Sequence, residues 1–84
     1  MSYGLSILRR AQKELAHTSP DAYRRLVEAI RGLGEEPRPA GCRKLSGRDG
    51  WRIRVGDFRV IYEIDDVSRT VTVLALGHRR DVYR

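Results

Sequence analysis

Residues 51–64 read Trp51-Arg52-Ile53-Arg54-Val55-Gly56-Asp57-Phe58-Arg59-Val60-Ile61-Tyr62-Glu63-Ile64. Successive side chains of a strand point to opposite faces, and this run alternates on both sides of Gly56-Asp57. Trp51, Ile53 and Val55 fall on one face, Arg52 and Arg54 on the other. Gly-Asp is a two-residue hairpin signal. Beyond it Phe58, Val60, Tyr62 and Ile64 alternate with Arg59, Ile61 and Glu63. The stretch predicts an antiparallel hairpin with one apolar face. Ile61 interrupts the polar face, so the second strand is expected to be buried on both sides at one end.

The flanks can be read outward from this hairpin. Residues 65–69 turn the chain, and residues 70–76 form a third β-rich run. Upstream, residues 35–50 hold Pro37, Pro39, Gly41, Gly47 and Gly50 and read as a loop. Before them the period becomes helical: Tyr23, Leu26, Val27, Ile30 and Leu33 recur at 3.6-residue spacing. Ser19 can cap this helix, Pro20 suits its first position, and Asp21 suits the positive end of its dipole. Gly32 and Gly34 are expected to mark its end. Ala11 and Leu15 give a shorter helix within residues 9–17. Residues 3–8 alternate as a short strand, with Tyr3, Leu5 and Ile7 on one face. The predicted order is an N-terminal strand, a two-helix antiparallel hairpin, then a three-stranded antiparallel meander. Helices on one face of such a sheet make an α+β fold.

Eighty-four residues suit a single domain, 1–84, with a thin core. A hydrophobic share of 40% and a charged share of 33% suit a folded soluble chain. No apolar run is long enough to cross a membrane, and the N-terminus lacks a secretory pattern, so the expected compartment is the cytoplasm. Cys42 alone forms no internal disulfide, and one Cys with two separated His cannot make a zinc site. No metal and no cofactor are expected.

The formal net charge is +6, and among the 17 basic residues only Lys13 and Lys44 are lysines. Arginine presents a planar fork of donors that matches phosphate oxygens and does not deprotonate near neutrality. If the apolar face of the hairpin packs beneath the helices, Arg52, Arg54 and Arg59 emerge together on the open face. Opposed and diagonal residues there lie only about 5–8 Å apart, and like charges that close repel. Either an anion sits between them, or carboxylates such as Glu63, Asp57 or Asp81 pair with them.

Several runs in this order resemble the RelE/ParE toxin superfamily: Arg10-Ala11-Gln12-Lys13-Glu14-Leu15, Pro37-Arg38-Pro39, Lys44-Leu45-Ser46-Gly47, the hairpin itself, and Gly77-His78-Arg79-Arg80-Asp81-Val82-Tyr83. The resemblance covers nearly the whole chain. The terminal Gly-His-Arg…Val-Tyr run points to the RelE branch. It implies the RelE-like fold and a cytoplasmic toxin of a type II toxin–antitoxin system, held silent by a cognate antitoxin. The implied activity is an endoribonuclease acting on messenger RNA in the ribosomal A site, leaving a 2′,3′-cyclic phosphate or 3′-phosphate and a 5′-hydroxyl. Residue by residue, the resemblance places the catalytic positions at Arg52, Arg54, Arg59, Arg79 and Tyr83, with Lys44 and Arg80 contacting RNA. Best-known RelE enzymes carry lysine where Arg52 and Arg54 stand, and arginine cannot serve as a base.

Cleavage of RNA by its own 2′-hydroxyl needs a base, positive charge on the phosphorane, and an acid for the departing 5′-oxygen. Arg54, Arg59 and Arg79 suit the second task. Tyr83 could stack on a base or move a proton; alternatively it closes the core edge. His78 titrates near neutrality, although a lone histidine ending a strand is often structural. Glu63 could act as base or orient an arginine. Arg9, Arg10, Lys13, Arg24, Arg25 and Arg31 read as solvated helix faces or as contacts to ribosomal RNA. Two competing functions share the fold: a ParE-like inhibitor of DNA gyrase, and a catalytically inactive antitoxin-binding module. A plain RNA-binding domain lacks its usual stacking motif or GXXG loop.

Overall fold

The computed structural model describes residues 2–78. In chain order the elements are β1 (Gly4–Ile7), α1 (Arg9–Ala16), α2 (Pro20–Glu35), β2 (Arg43–Lys44), β3 (Trp51–Val55), β4 (Phe58–Asp65) and β5 (Thr70–His78). The strands form one sheet in the order β1-β5-β4-β3-β2. Strand β1 runs parallel to β5 and the other pairs are antiparallel. Both helices cover one face, so the architecture is the α+β arrangement that the hairpin predicts.

Gly56 opens the β3–β4 turn at φ 62°, a left-handed value that glycine takes without a Cβ clash. This fixes the register in which Val55 faces Phe58, Ile53 faces Val60 and Trp51 faces Tyr62. Those side chains join Leu26, Leu33, Val71, Val73 and Leu76 in the core beneath the helices. As Ile61 suggests, β4 is buried on its other face too, where Ile61 and Ala75 pack with Leu45 and Leu74.

Helix α2 starts where the sequence places it: Ser19 Oγ accepts from the Ala22 N–H at 3.3 Å, with Pro20 and Asp21 in the first turn. Its end differs. The helix runs through Gly32 and Gly34 to Glu35, because Leu33 between them is fully buried. Burying a leucine outweighs the roughly 1 kcal/mol that a helical glycine costs. Gly34 serves close approach instead. A Cβ there would meet Tyr3 O at 3.2 Å, and the Tyr3 N–H donates to Gly34 O at 2.6 Å. Pro37 stops the helix by forcing Glu36 into extended backbone. Tyr23 is 48% exposed, not in the core. The inward stripe is centred on Ala22, Leu26, Ile30 and Leu33, which leaves Tyr23 on its flank. Leu5 also stays exposed while Tyr3 and Ile7 pack inward.

Within residues 35–50, expected to be loop, β2 adds a short edge strand to β3, pairing Arg43 with Arg52 and Lys44 with Trp51. Side chains fasten the segment before it. Buried Tyr62 donates its hydroxyl to Pro37 O at 2.8 Å. Arg38 grips Asp66 through both terminal nitrogens, at 3.3 and 3.0 Å.

Strand β5 carries one irregularity. Ile61 faces Ala75 while Tyr62 faces Val73, so Leu74 is an extra residue. One extra residue reverses the facing of everything after it. Among the described residues no helix is long and apolar enough to cross a membrane.

Candidate functional site

The open face of the sheet carries the arginines. Arg54 and Arg59 are direct cross-strand partners on β3 and β4, next to the Gly56-Asp57 turn. Arg52 lies two positions along β3, opposite Ile61. These three expected site residues therefore share one face. Arg54 is exposed, whereas Arg52 and Arg59 are half-buried, Arg52 directly across from Ile61. Arg52 and Arg54 form no ion pair among the described residues, so Asp57 and Glu63 do not neutralise them.

The remaining candidates divide. Glu63 shares the open face but sits opposite Thr72, four residues and roughly 13 Å along β4 from Arg59. It is a diagonal neighbour of Arg52 instead. His78 pairs with Phe58, and its ring meets the Phe58 ring edge-on at 5.8 Å between centroids. That contact is on the helix side of the sheet. The extra residue in β5 is the cause: it puts Ala75 and Gly77 on the open face and turns His78 away from it. Lys44, paired with Trp51, also faces the helix side, its Nζ 6.0 Å from the indole centroid. Arg79, Arg80 and Tyr83 lie outside the described residues.

Arg43 is a site residue that the sequence does not announce. Its pairing with Arg52 brings a fourth arginine to the open face. Two residues of strand are too short to show a period, and only the adjacency Arg43-Lys44 hinted at an edge.

A polar node at the far end of the sheet holds the β2 segment in place. Asp66 accepts from Arg38 and from the Tyr3 hydroxyl, the latter at 2.6 Å. Those hydrogen bonds, Arg38's first, hold its carboxyl below the usual carboxylate range. The same bond raises the Tyr3 phenol above its ordinary value. Arg38 also lies over the Trp51 ring, 5.1 Å from its centroid. Burial, followed by the neighbouring Cys42 thiol, pushes the Tyr62 phenol up, so it stays a hydrogen-bond donor. No three His, Cys, Asp or Glu side chains among the described residues are placed to hold a metal ion.

Fixed guanidinium donors converging on one open face can bind a phosphate and stabilise charge that develops on it. The family described as ParE toxin of type II toxin-antitoxin system, parDE, matches residues 5–83. Toxin RelG of Mycobacterium tuberculosis is 34% identical over 88 residues, spanning 100% of this chain and 99% of the relative. The archaeal RelE–RelB complex from Pyrococcus horikoshii OT3 matches with a TM-score of 0.85 and 32% identity, over 98% of this chain and 100% of that one. The intact Escherichia coli RelBE toxin–antitoxin complex matches at 0.79 with 27% identity, over 92% and 96%.

Proposed function

Because the chain belongs to the RelE/ParE superfamily of type II toxin–antitoxin toxins, we propose that it is an endoribonuclease cutting messenger RNA in the ribosomal A site. The observation that carries this reading is the cross-strand pair Arg54 and Arg59 on the open face. In the proposed reaction the 2′-oxygen loses its proton and bonds to phosphorus while the 5′-oxygen departs and is protonated. The products are a 2′,3′-cyclic phosphate and a 5′-hydroxyl. Arg54 and Arg59, joined by Arg79, stabilise the charge that builds on the phosphorane oxygens. Arg52 holds the substrate beside them, Lys44 contacts RNA from the sheet edge where it lies by Trp51, and Arg80 contacts RNA as well.

Arginine cannot move the protons. With His78 turned to the other face and Glu63 far along β4, proton transfer falls to Tyr83. In this reading a cognate antitoxin silences the toxin in the cytoplasm. Two observations support that partner: the solved relatives that are RelE–RelB and RelBE complexes, and the +6 charge, which suits an acidic segment laid across the arginines.

Two features favour a second reading. The matching family is described as ParE, and arginines stand where lysines serve in the best-known RelE enzymes. A ParE-like toxin would inhibit DNA gyrase and leave RNA whole. Primer extension on messages after induction separates the two. Cuts within translated codons are expected; intact messages with gyrase-linked DNA breaks would favour the gyrase inhibitor.

A further inference from the structure

Arg43 is the cross-strand partner of Arg52, as Arg54 is of Arg59. Two pairs of like charge thus stand side by side on one face, at a separation where like charges weaken a sheet. Three arginines elsewhere stand beside carboxylates, Arg10 with Glu14, Arg24 with Asp21 and Arg38 with Asp66, while the helix-borne Arg9, Arg25 and Arg31 face open solvent singly and not across from another arginine. Arg43, Arg48 and Arg52 have no ion pair among the described residues. With Lys44, Leu45 and Ser46 they line a groove of about 450 Å³ whose described wall contains no carboxylate. At Arg43 and Arg52 the repulsion is left standing, where an anion could relieve it.

The spacing indicates which anion. Arg52 and Arg54 are two residues apart on β3, about 6.6–6.8 Å along the strand. That is close to the step between successive phosphates of an extended single strand. We propose that Arg43 and Arg52, with Arg48 at the rim, form a second phosphate seat for the phosphodiester adjoining the one held by Arg54 and Arg59. The ligand is the backbone of single-stranded RNA, so the seat fixes register without reading bases. This inference rests on the ribonuclease reading above. Arg43 is a positioning residue: it acts through where the strand lies, not on the reacting atoms.

The test is single-turnover cleavage on programmed ribosomes, using messages with one neutral methylphosphonate beside the cut, on either side. For the wild-type protein, neutralising one of the two flanking positions should raise the half-saturating toxin concentration on the order of tenfold, with little change in maximal rate. Arg43→Gln should show the same weakening on the all-phosphate message and lose nothing further with the methylphosphonate. Arg43→Lys, which keeps the charge and the short strand, should recover part of the affinity and so controls for loss of β2. If the methylphosphonate costs wild type and Arg43→Gln the same factor at both positions, the seat is refuted, while cleavage itself leaves the ribonuclease reading standing. If wild-type protein leaves the all-phosphate message uncut, that reading fails and the seat with it.

Discussion

Tyr62→Phe removes one oxygen from the middle of the core and should loosen a segment at the sheet edge. The phenol ring is fully buried, and its hydroxyl donates to Pro37 O at 2.8 Å. Phenylalanine keeps the ring and its packing, so the loss is confined to what the hydroxyl touches: the Pro37 carbonyl, left without its donor at a buried proline, and the neighbouring Cys42 thiol. Leaving a buried acceptor unsatisfied costs about 1–3 kcal/mol. For a domain of this size each kcal/mol lowers Tm by about 4–8 °C. Urea titration should show a lower midpoint with an unchanged slope, since the exposed area on unfolding is the same. Hydrogen exchange should quicken at the Arg43 and Lys44 amides, because Pro37 leads into the loop that carries β2. Tyr23→Phe, at an exposed ring, is the control and should leave Tm unchanged. A Tyr62→Phe protein within about 2 °C of wild type, with unaltered exchange in β2, would refute this account of how the loop is held.

Other perturbations follow from the same geometry. The depressed carboxyl of Asp66 contributes stability above its unfolded value, near 3.9, which is lost as pH falls through the lower folded value. Asp66→Asn should therefore flatten the fall of Tm below about pH 4, and an unchanged acid limb would count against the node. Gly32→Ala, where a Cβ meets nothing within 4 Å, should raise stability by about 0.5–1 kcal/mol in thermal melts. Gly34→Ala, where it would press on Tyr3 O at 3.2 Å, should lower stability despite the same gain in helix propensity. Arg54→Gln should leave stability unchanged or raise it by a few tenths of a kcal/mol, since it removes a charge opposite Arg59, while cleavage of message falls. A destabilised Arg54→Gln protein would show that Arg54 has a structural duty.

The hairpin and the facing of Arg52, Arg54 and Arg59 could be read from sequence because a two-residue turn and strict alternation leave no freedom of register. The start of α2 was equally legible, since Ser19, Pro20 and Asp21 act locally. What the sequence hid depends on contacts between distant residues. Leu74 looks like any apolar strand residue, yet as an extra residue it turns His78 toward Phe58 and away from the arginines. Gly34 reads as a helix stop, but its meaning lies in Tyr3, thirty-one positions earlier. Arg43 gains its place only from pairing with Arg52, which nothing in a two-residue strand announces.

Cleavage of ribosome-bound message by the purified protein tests the central proposal most directly. Wild-type toxin and Arg59→Ala would be mixed with ribosomes programmed with a defined A-site codon, and the product ends identified. Expected are a single cut within that codon, a 5′-hydroxyl on the downstream fragment, and a rate lower by on the order of 10²–10³ for Arg59→Ala. Intact message with the wild-type protein, or equal rates for the two proteins, would contradict it.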